Sequence, residues 1–159
     1  MIPQFPMKRF ILILAFLAPN YLVLTARAAE IMSASTMESY YAISEALAAD
    51  SLNGVEENAR KFAASVQDPT LQASATSVAA ATMVSLEKTR EMFKSLSLMF
   101  AGGFKSGAFM VAHGTTYLVH CPMKDADWLQ PAAAPVHNPY HGSEMLECGG
   151  VMASYGTKP

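Results

Sequence analysis

Beyond Leu24 the chain has no apolar run long enough to span a bilayer, which takes about 20 predominantly apolar residues. Nor has it an excess of positive charge: eleven basic residues face thirteen acidic ones, for a formal net charge of −2. Three of the basic residues and none of the acidic ones precede residue 29, so residues 29–159 carry −5 and no basic patch. Nucleic acid is therefore disfavoured as a partner. There is no Gly-x-Ser-x-Gly, no phosphate-binding glycine loop and no convincing pair of acid and base. A Cys/His nucleophile is formally available through Cys121 with His141 or His137, but a second cysteine stands ready to pair with it, and no enzyme is expected. Cysteine and histidine are scarce, two and four residues, and all six fall between His113 and Cys148. The chain is chemically bland before Gly102 and rich in ligands after it.

The first segment is what an export signal requires: a short cationic start, an apolar run and small residues at a cleavage point. Lys8 and Arg9 supply the charge, Phe10–Leu24 the run, and Ala26-Arg27-Ala28 the cleavage pattern. Pro19-Asn20 interrupts the run, which argues against a retained anchor, and Met7 is an alternative start to Met1. No cysteine lies near the cut, which argues against lipid anchoring. The expectation is a signal over residues 1–28, removed on export, most simply to a periplasm. Residues 29–159 then form one domain by length.

From Ser35 to Phe100 the pattern is helical. Ser35-x-x-Glu38 reads as a capping box, with Tyr40, Ile43 and Leu47 on one face behind it. Asn53-Gly54 breaks that helix, and Leu52, Val55, Ala59, Phe62 and Val66 stripe the next. Asp68-Pro69 is a third start, with a capping carboxylate and proline where its missing N–H costs nothing. Leu71, Ala75 and Val78 follow. A last helix runs from about Ser85 with Leu86, Phe93, Leu96 and Phe100 inward, and Gly102-Gly103 ends it. Glu87, Lys88, Arg90, Glu91 and Lys94 read as a solvated face; without Glu-x-x-His pairs, a di-metal carboxylate site is not expected. The predicted fold is mainly α: an up-and-down bundle over residues 35–103, a Cys/Met/His-rich segment over 104–150 and a tail over 151–159. That segment is expected to hold a short strand at Thr115–His120, turns, and a short helix from Glu144 to Cys148 capped by Ser143.

The segment carries soft donors in pairs. Cys121 and Met123 are two apart, Met145 and Cys148 three apart. Thiolate with thioether favours Cu(I) over harder ions, and His120, His137 and His141 could complete such a site. Zinc prefers Cys/His ligands without methionine, and Cys-x-Met is not a zinc-finger spacing. Two other readings compete. In an oxidising compartment, two cysteines of a small domain usually pair. A Cys121–Cys148 disulfide would close a loop of about 28 residues and stabilise by around 3.5 kcal/mol. A reversible pair, binding metal when reduced and bonded when oxidised, lies between them. Met123 and Met145 also suit gap-filling in a core, Trp128 a packing anchor, and His113 the surface.

Cys121-Pro122-Met123, Trp128-Leu129-Gln130, Asn138-Pro139-Tyr140-x-Gly142 and Met145-Leu146-x-Cys148-Gly149 occur in this order. With Arg90-x-x-Phe93-x-x-Leu96-Ser97 ahead of them, the combination resembles the exported family known as domain of unknown function 3347. The chain departs from that pattern at Phe104–Gly114, which is long and rich in glycine and alanine, and in the short stretch between Pro122 and Trp128. Members stand alone or are fused to the periplasmic adaptor of copper/silver-type efflux systems. The resemblance implies a metal-handling context, with Cu(I) or Ag(I) as the ion and an efflux adaptor as a partner, but no defined activity. It marks Trp128, Asn138, Pro139, Tyr140 and Gly142 as framework residues. The rival is a disulfide-stapled, non-catalytic interaction module of the cell envelope.

Overall fold

A computed structural model describes residues 28–156. The expected signal, apart from its last residue, lies outside the described residues. In chain order the elements are β1 (Glu30–Met32), α1 (Ala34–Ala48), α2 (Val55–Ser65), α3 (Pro69–Ala81), α4 (Leu86–Ser106), β2 (Phe109–Val111), β3 (Thr115–Cys121), β4 (Ala126–Gln130) and β5 (Gly150–Gly156), with a single 3-10 turn at Gly142–Glu144. Among the described residues no helix is long and apolar enough to cross a membrane.

The helices begin where side chains can satisfy free backbone donors. Asp68 accepts from the N–H groups of Thr70 and Leu71 at 2.8 and 3.2 Å, with Pro69 in the first turn. Ser85 caps α4 through the Lys88 N–H at 3.1 Å. The capping box at Ser35 does not form. Ser33 is the cap, accepting from the Thr36 N–H at 3.1 Å, and α1 starts two residues earlier than the pattern predicts. The predicted stripes do turn inward: Tyr40, Ile43 and Leu47 pack with Val55, Ala59, Phe62, Leu71, Val78, Phe93, Leu96 and Phe100 in one core.

The mainly α class is overturned. Among the described residues helix accounts for 49% and strand for 19%, in two small sheets, so the fold is an α/β mixture in which the four-helix part is only one layer. β1 and β2 pair in parallel, and β3 is the centre of an antiparallel sheet ordered β4-β3-β5. Each missed strand has a physical reason. All five residues of β4 are buried, so no alternation marks it. The 151–159 tail is mostly β5, whose Gly, Ala and Ser have little intrinsic strand preference and which is held by its register on β3. β1 has three residues, and its partner lies far along the chain.

Two further expectations change. α4 runs through Gly102-Gly103 and stops at Gly107, whose φ of 76° suits glycine. Gly103 serves close approach instead: a Cβ there would stand 1.9 Å from the Phe109 ring. The short helix from Glu144 to Cys148 is absent. A 3-10 turn at Gly142–Glu144 is followed by further turns, so Met145 and Cys148 do not share a helical face.

The layers are joined along β4. α1 and α4 pack on it, and the Tyr40 hydroxyl accepts from the Leu129 N–H at 3.3 Å while bonding Ser97. One edge N–H of β4 is thereby satisfied by a side chain from α1. Trp128 is fully buried and meets Tyr140 edge to face at 5.8 Å.

Candidate metal centre

The centre is assembled from three pieces of backbone. Cys121 ends β3, opposite Ala126 of β4, and is fully buried. The turn between them, residues 122–125, folds its amide groups back toward the Cys121 sulfur, so the short Pro122–Trp128 stretch is a hairpin. Cys148 precedes β5. There Gly149 adopts φ 152° and lies so close to Trp128 that a Cβ would stand 2.7 Å from its ring. Only glycine brings the chain in there, and it sets Cys148 beside the end of β3.

His141 comes from the Asn138–Gly142 turn, which the fully buried Asn138 organises. Its Oδ1 accepts from the Tyr140 and His141 N–H groups at 2.8 and 3.2 Å, and its Nδ2 donates to the Cys148 carbonyl at 2.6 Å. One side chain thus ties the histidine turn to the cysteine turn. The Tyr140 hydroxyl anchors the same turn on the Asp127 carbonyl at 2.6 Å. Behind it, Arg90 donates to the carbonyls of Pro139 and Leu47 at 3.0 and 2.7 Å and pairs with Asp50 at 2.5 Å. Asp50 in turn accepts from the Ser143 N–H at 2.9 Å. Gly142 makes room for this brace, because a Cβ there would meet the Asp50 carboxylate at 2.0 Å.

Sγ of Cys121 and Sγ of Cys148 lie 3.1 Å apart, and a ligating nitrogen of His141 joins them within 4.8 Å. Both cysteines are free, and the separation exceeds the roughly 2.05 Å of a disulfide. Burial disfavours the Cys121 thiolate. Hydrogen bonds from the Cys148 thiol, the Lys124 N–H, the Asn138 side chain and the Met123 N–H outweigh burial and bring its pKa below the ordinary thiol value. Donating that bond, together with burial and the neighbouring charge, pushes the Cys148 thiol up. The pair therefore behaves as one thiolate held by one thiol. Nε2 of His141 is buried without a hydrogen-bond partner, an unpaired polar atom of the kind that an incoming ion would satisfy.

The other candidate residues are placed differently. His120 bonds Asp127 through Nδ1 at 2.8 Å, and Asp127 also pairs with Lys105. His137 bonds Glu45 at 2.8 Å. Neither joins the three-donor group. Met123 and Met145 are 64% and 39% exposed on the loops that carry the cysteines, so neither fills a core gap. His113 is exposed. Arg90, expected on a solvated helix face, has a side chain only 11% exposed. Its signal was present in the periodicity, since Arg90, Phe93, Ser97 and Phe100 fall on one stripe. The place of Gly149 against Trp128 had no sequence signal.

Fold and site together define a small α/β protein with a potential metal-binding site of two thiols and one imidazole. No protein-family model, curated protein or solved structure matches the chain.

Proposed function

We propose that this is an exported soft-metal binding protein that holds monovalent copper or silver on Cys121, Cys148 and His141, without catalysis, in support of metal resistance or efflux. The observation that carries the reading is the convergence of two sulfurs and a ring nitrogen of His141, on a ring whose Nε2 is buried without a hydrogen-bond partner. Thiolates select soft ions, and the hydrogen bonds around Cys121 favour its metal-binding, ionised form. Met123 and Met145, exposed and two and three residues from the cysteines in the chain, are the further soft donors this reading names. The residue-level resemblance to domain of unknown function 3347, with its efflux-adaptor context, supports the same assignment, as does the signal read at the N-terminus. A heavy-metal efflux adaptor is the partner that reading names. One observation favours zinc as a second ion: the third donor within reach is histidine, and Cys₂His is a zinc donor set.

The test is an anaerobic titration of the protein with Cu(I) and, separately, with Zn(II), with and without prior thiol reduction. The expected result is one Cu(I) per chain after reduction, retained against zinc, and loss of binding in Cys121→Ser and Cys148→Ser. No stoichiometric binding of either ion by the reduced protein would falsify the reading.

A further inference from the structure

The separation of the two sulfurs suits neither of their bonded states. Two sulfurs that each stand about 2.3 Å from one tetrahedral ion lie roughly 3.8 Å apart, and a disulfide needs about 2.05 Å. At 3.1 Å the pair sits between these, with a movement on the order of 1 Å or less separating it from either. The two cysteines are unequal in freedom. Cys121 is locked at the end of β3, fully buried, with the 122–125 turn folded onto its sulfur. Cys148 is only half-buried, in a turn between exposed Glu147 and Gly149, and supplies both the movement and the access.

We propose that this pair gates the metal site by redox state: a small disulfide of the glutathione class reacts at Cys148, Cys121 displaces it, and the resulting Cys121–Cys148 bond removes the site. The proposal rests on the metal reading above. Cys148 is the less acidic thiol of the pair but the one an incoming disulfide can reach, so in the first step its sulfur, giving its proton to solvent, attacks one sulfur of that disulfide. A mixed disulfide forms on Cys148, and the other half leaves as a thiolate that takes up a proton. In the second step Cys121 attacks the adjacent Cys148 sulfur, the internal disulfide forms as the bond from Cys148 to the bound half breaks, and that half leaves as a thiolate that takes up the proton Cys121 has given up. Two cysteines are oxidised by two electrons and one external disulfide is reduced to two thiols. His141 is then the only member of the cluster left to ligate, and one imidazole does not retain a soft ion. Bound metal, by occupying both sulfurs, slows the first step.

The experiment treats the reduced, full-length protein with oxidised glutathione under anaerobic conditions and follows it by intact mass and peptide mapping, then measures Cd(II) binding by its sulfur-to-metal absorption. Expected are a transient single adduct on the Cys148 peptide, an end product lighter by two hydrogens, and one Cd(II) per chain before oxidation but none after it, restored by reduction. Cys121→Ser should accumulate the adduct, and Cys148→Ser should react roughly tenfold more slowly or less, because its remaining thiol is buried. Mapping on the unaltered chain makes the result independent of whether either variant folds. A first adduct on Cys121, or Cd(II) retained after the internal disulfide has closed, overturns the gate alone. Absence of Cd(II) binding by the reduced protein overturns the metal reading and the gate with it, even when the disulfide closes through Cys148.

Discussion

Residues 34–106 and residues 109–156 are held in shape by interactions of different reach. In the helical layer each element is specified within its own few residues: Asp68 and Ser85 cap the turns that follow them, and a stripe of side chains at helical spacing points to the core. In the sheet layer the β3–β4 hairpin and the Asn138 turn are local, but the contacts that place them against the rest of the molecule are distant in sequence. The Leu129 N–H of β4 donates to Tyr40 of α1, the histidine turn is braced by Arg90 and Asp50, and Cys148 reaches β3 because Gly149 fits against Trp128. The local layer forms the wall on which the non-local layer assembles a site.

Truncating Trp128 tests how far the two layers depend on each other. The side chain is fully buried against Tyr140 and Gly149, so Trp128→Ala should cost about 3–5 kcal/mol. Because α1 and α4 pack directly on β4, the loss should appear as one earlier transition when urea unfolding is followed by far-ultraviolet circular dichroism. Two separated transitions, with the helices surviving the first, would show that the layers are independent and break the comparison.

The same difference in reach explains what the sequence made legible. The inward faces of the helices, the cap at Asp68, the start of α4 near Ser85 and the strand at β3 follow from spacing and residue type. β4 was silent because both its faces are covered, β5 because its small residues take their conformation from β3. At the site, Cys121, Cys148 and His141 stood among the candidates, yet nothing in the spacing separated His141 from His120 and His137. That choice is made by position: of the three, His141 alone has a ring nitrogen within 4.8 Å of both sulfurs, on a turn that Asn138 holds.

Gly102 and Gly103 sharpen the boundary between the layers with effects of opposite sign. In Gly103→Ala a Cβ would run into the Phe109 ring, where α4 meets β2, and overpacking of that kind costs about 1–3 kcal/mol. Gly102 has nothing within 4 Å of a Cβ and lies inside the helix, so Gly102→Ala should stabilise by about 0.5–1 kcal/mol. Stabilisation by both substitutions would mean that neither glycine serves an approach between layers. Urea midpoints of the two variants decide it.

A smaller effect separates the two serines at the start of α1. Ser33 accepts the Thr36 N–H, whereas Ser35 lies inside the first turn. Ser33→Ala should therefore cost about 1 kcal/mol and Ser35→Ala less than about 0.5 kcal/mol. The reverse order would restore the capping box read from Ser35 and Glu38, and with it a helix start decided wholly by local sequence.

The smallest and most diagnostic effect lies in the carboxylate that ties α1 and α4 to the turn carrying His141. Asp50 follows α1, pairs with Arg90 of α4 and accepts the Ser143 N–H of the site turn. The hydrogen bonds from Ser143, then those from Arg90, hold its pKa well below the ordinary carboxylate range. A depressed folded-state pKa means that the contribution is complete above the unfolded value of about 3.9 and fades as pH falls toward the lower folded value. Solvent screens so exposed a group, so the effect on global stability is modest. Asp50→Asn should flatten the acid limb of the stability curve below about pH 4 and leave the neutral region nearly level. At neutral pH the same variant should weaken the tie between the brace and His141, read as faster amide exchange at Ser143 and a lower affinity for Cd(II). An unchanged acid limb would place the link between helices and site elsewhere, in the Arg90 bond to the Pro139 carbonyl and the packing of Phe93 on Tyr140.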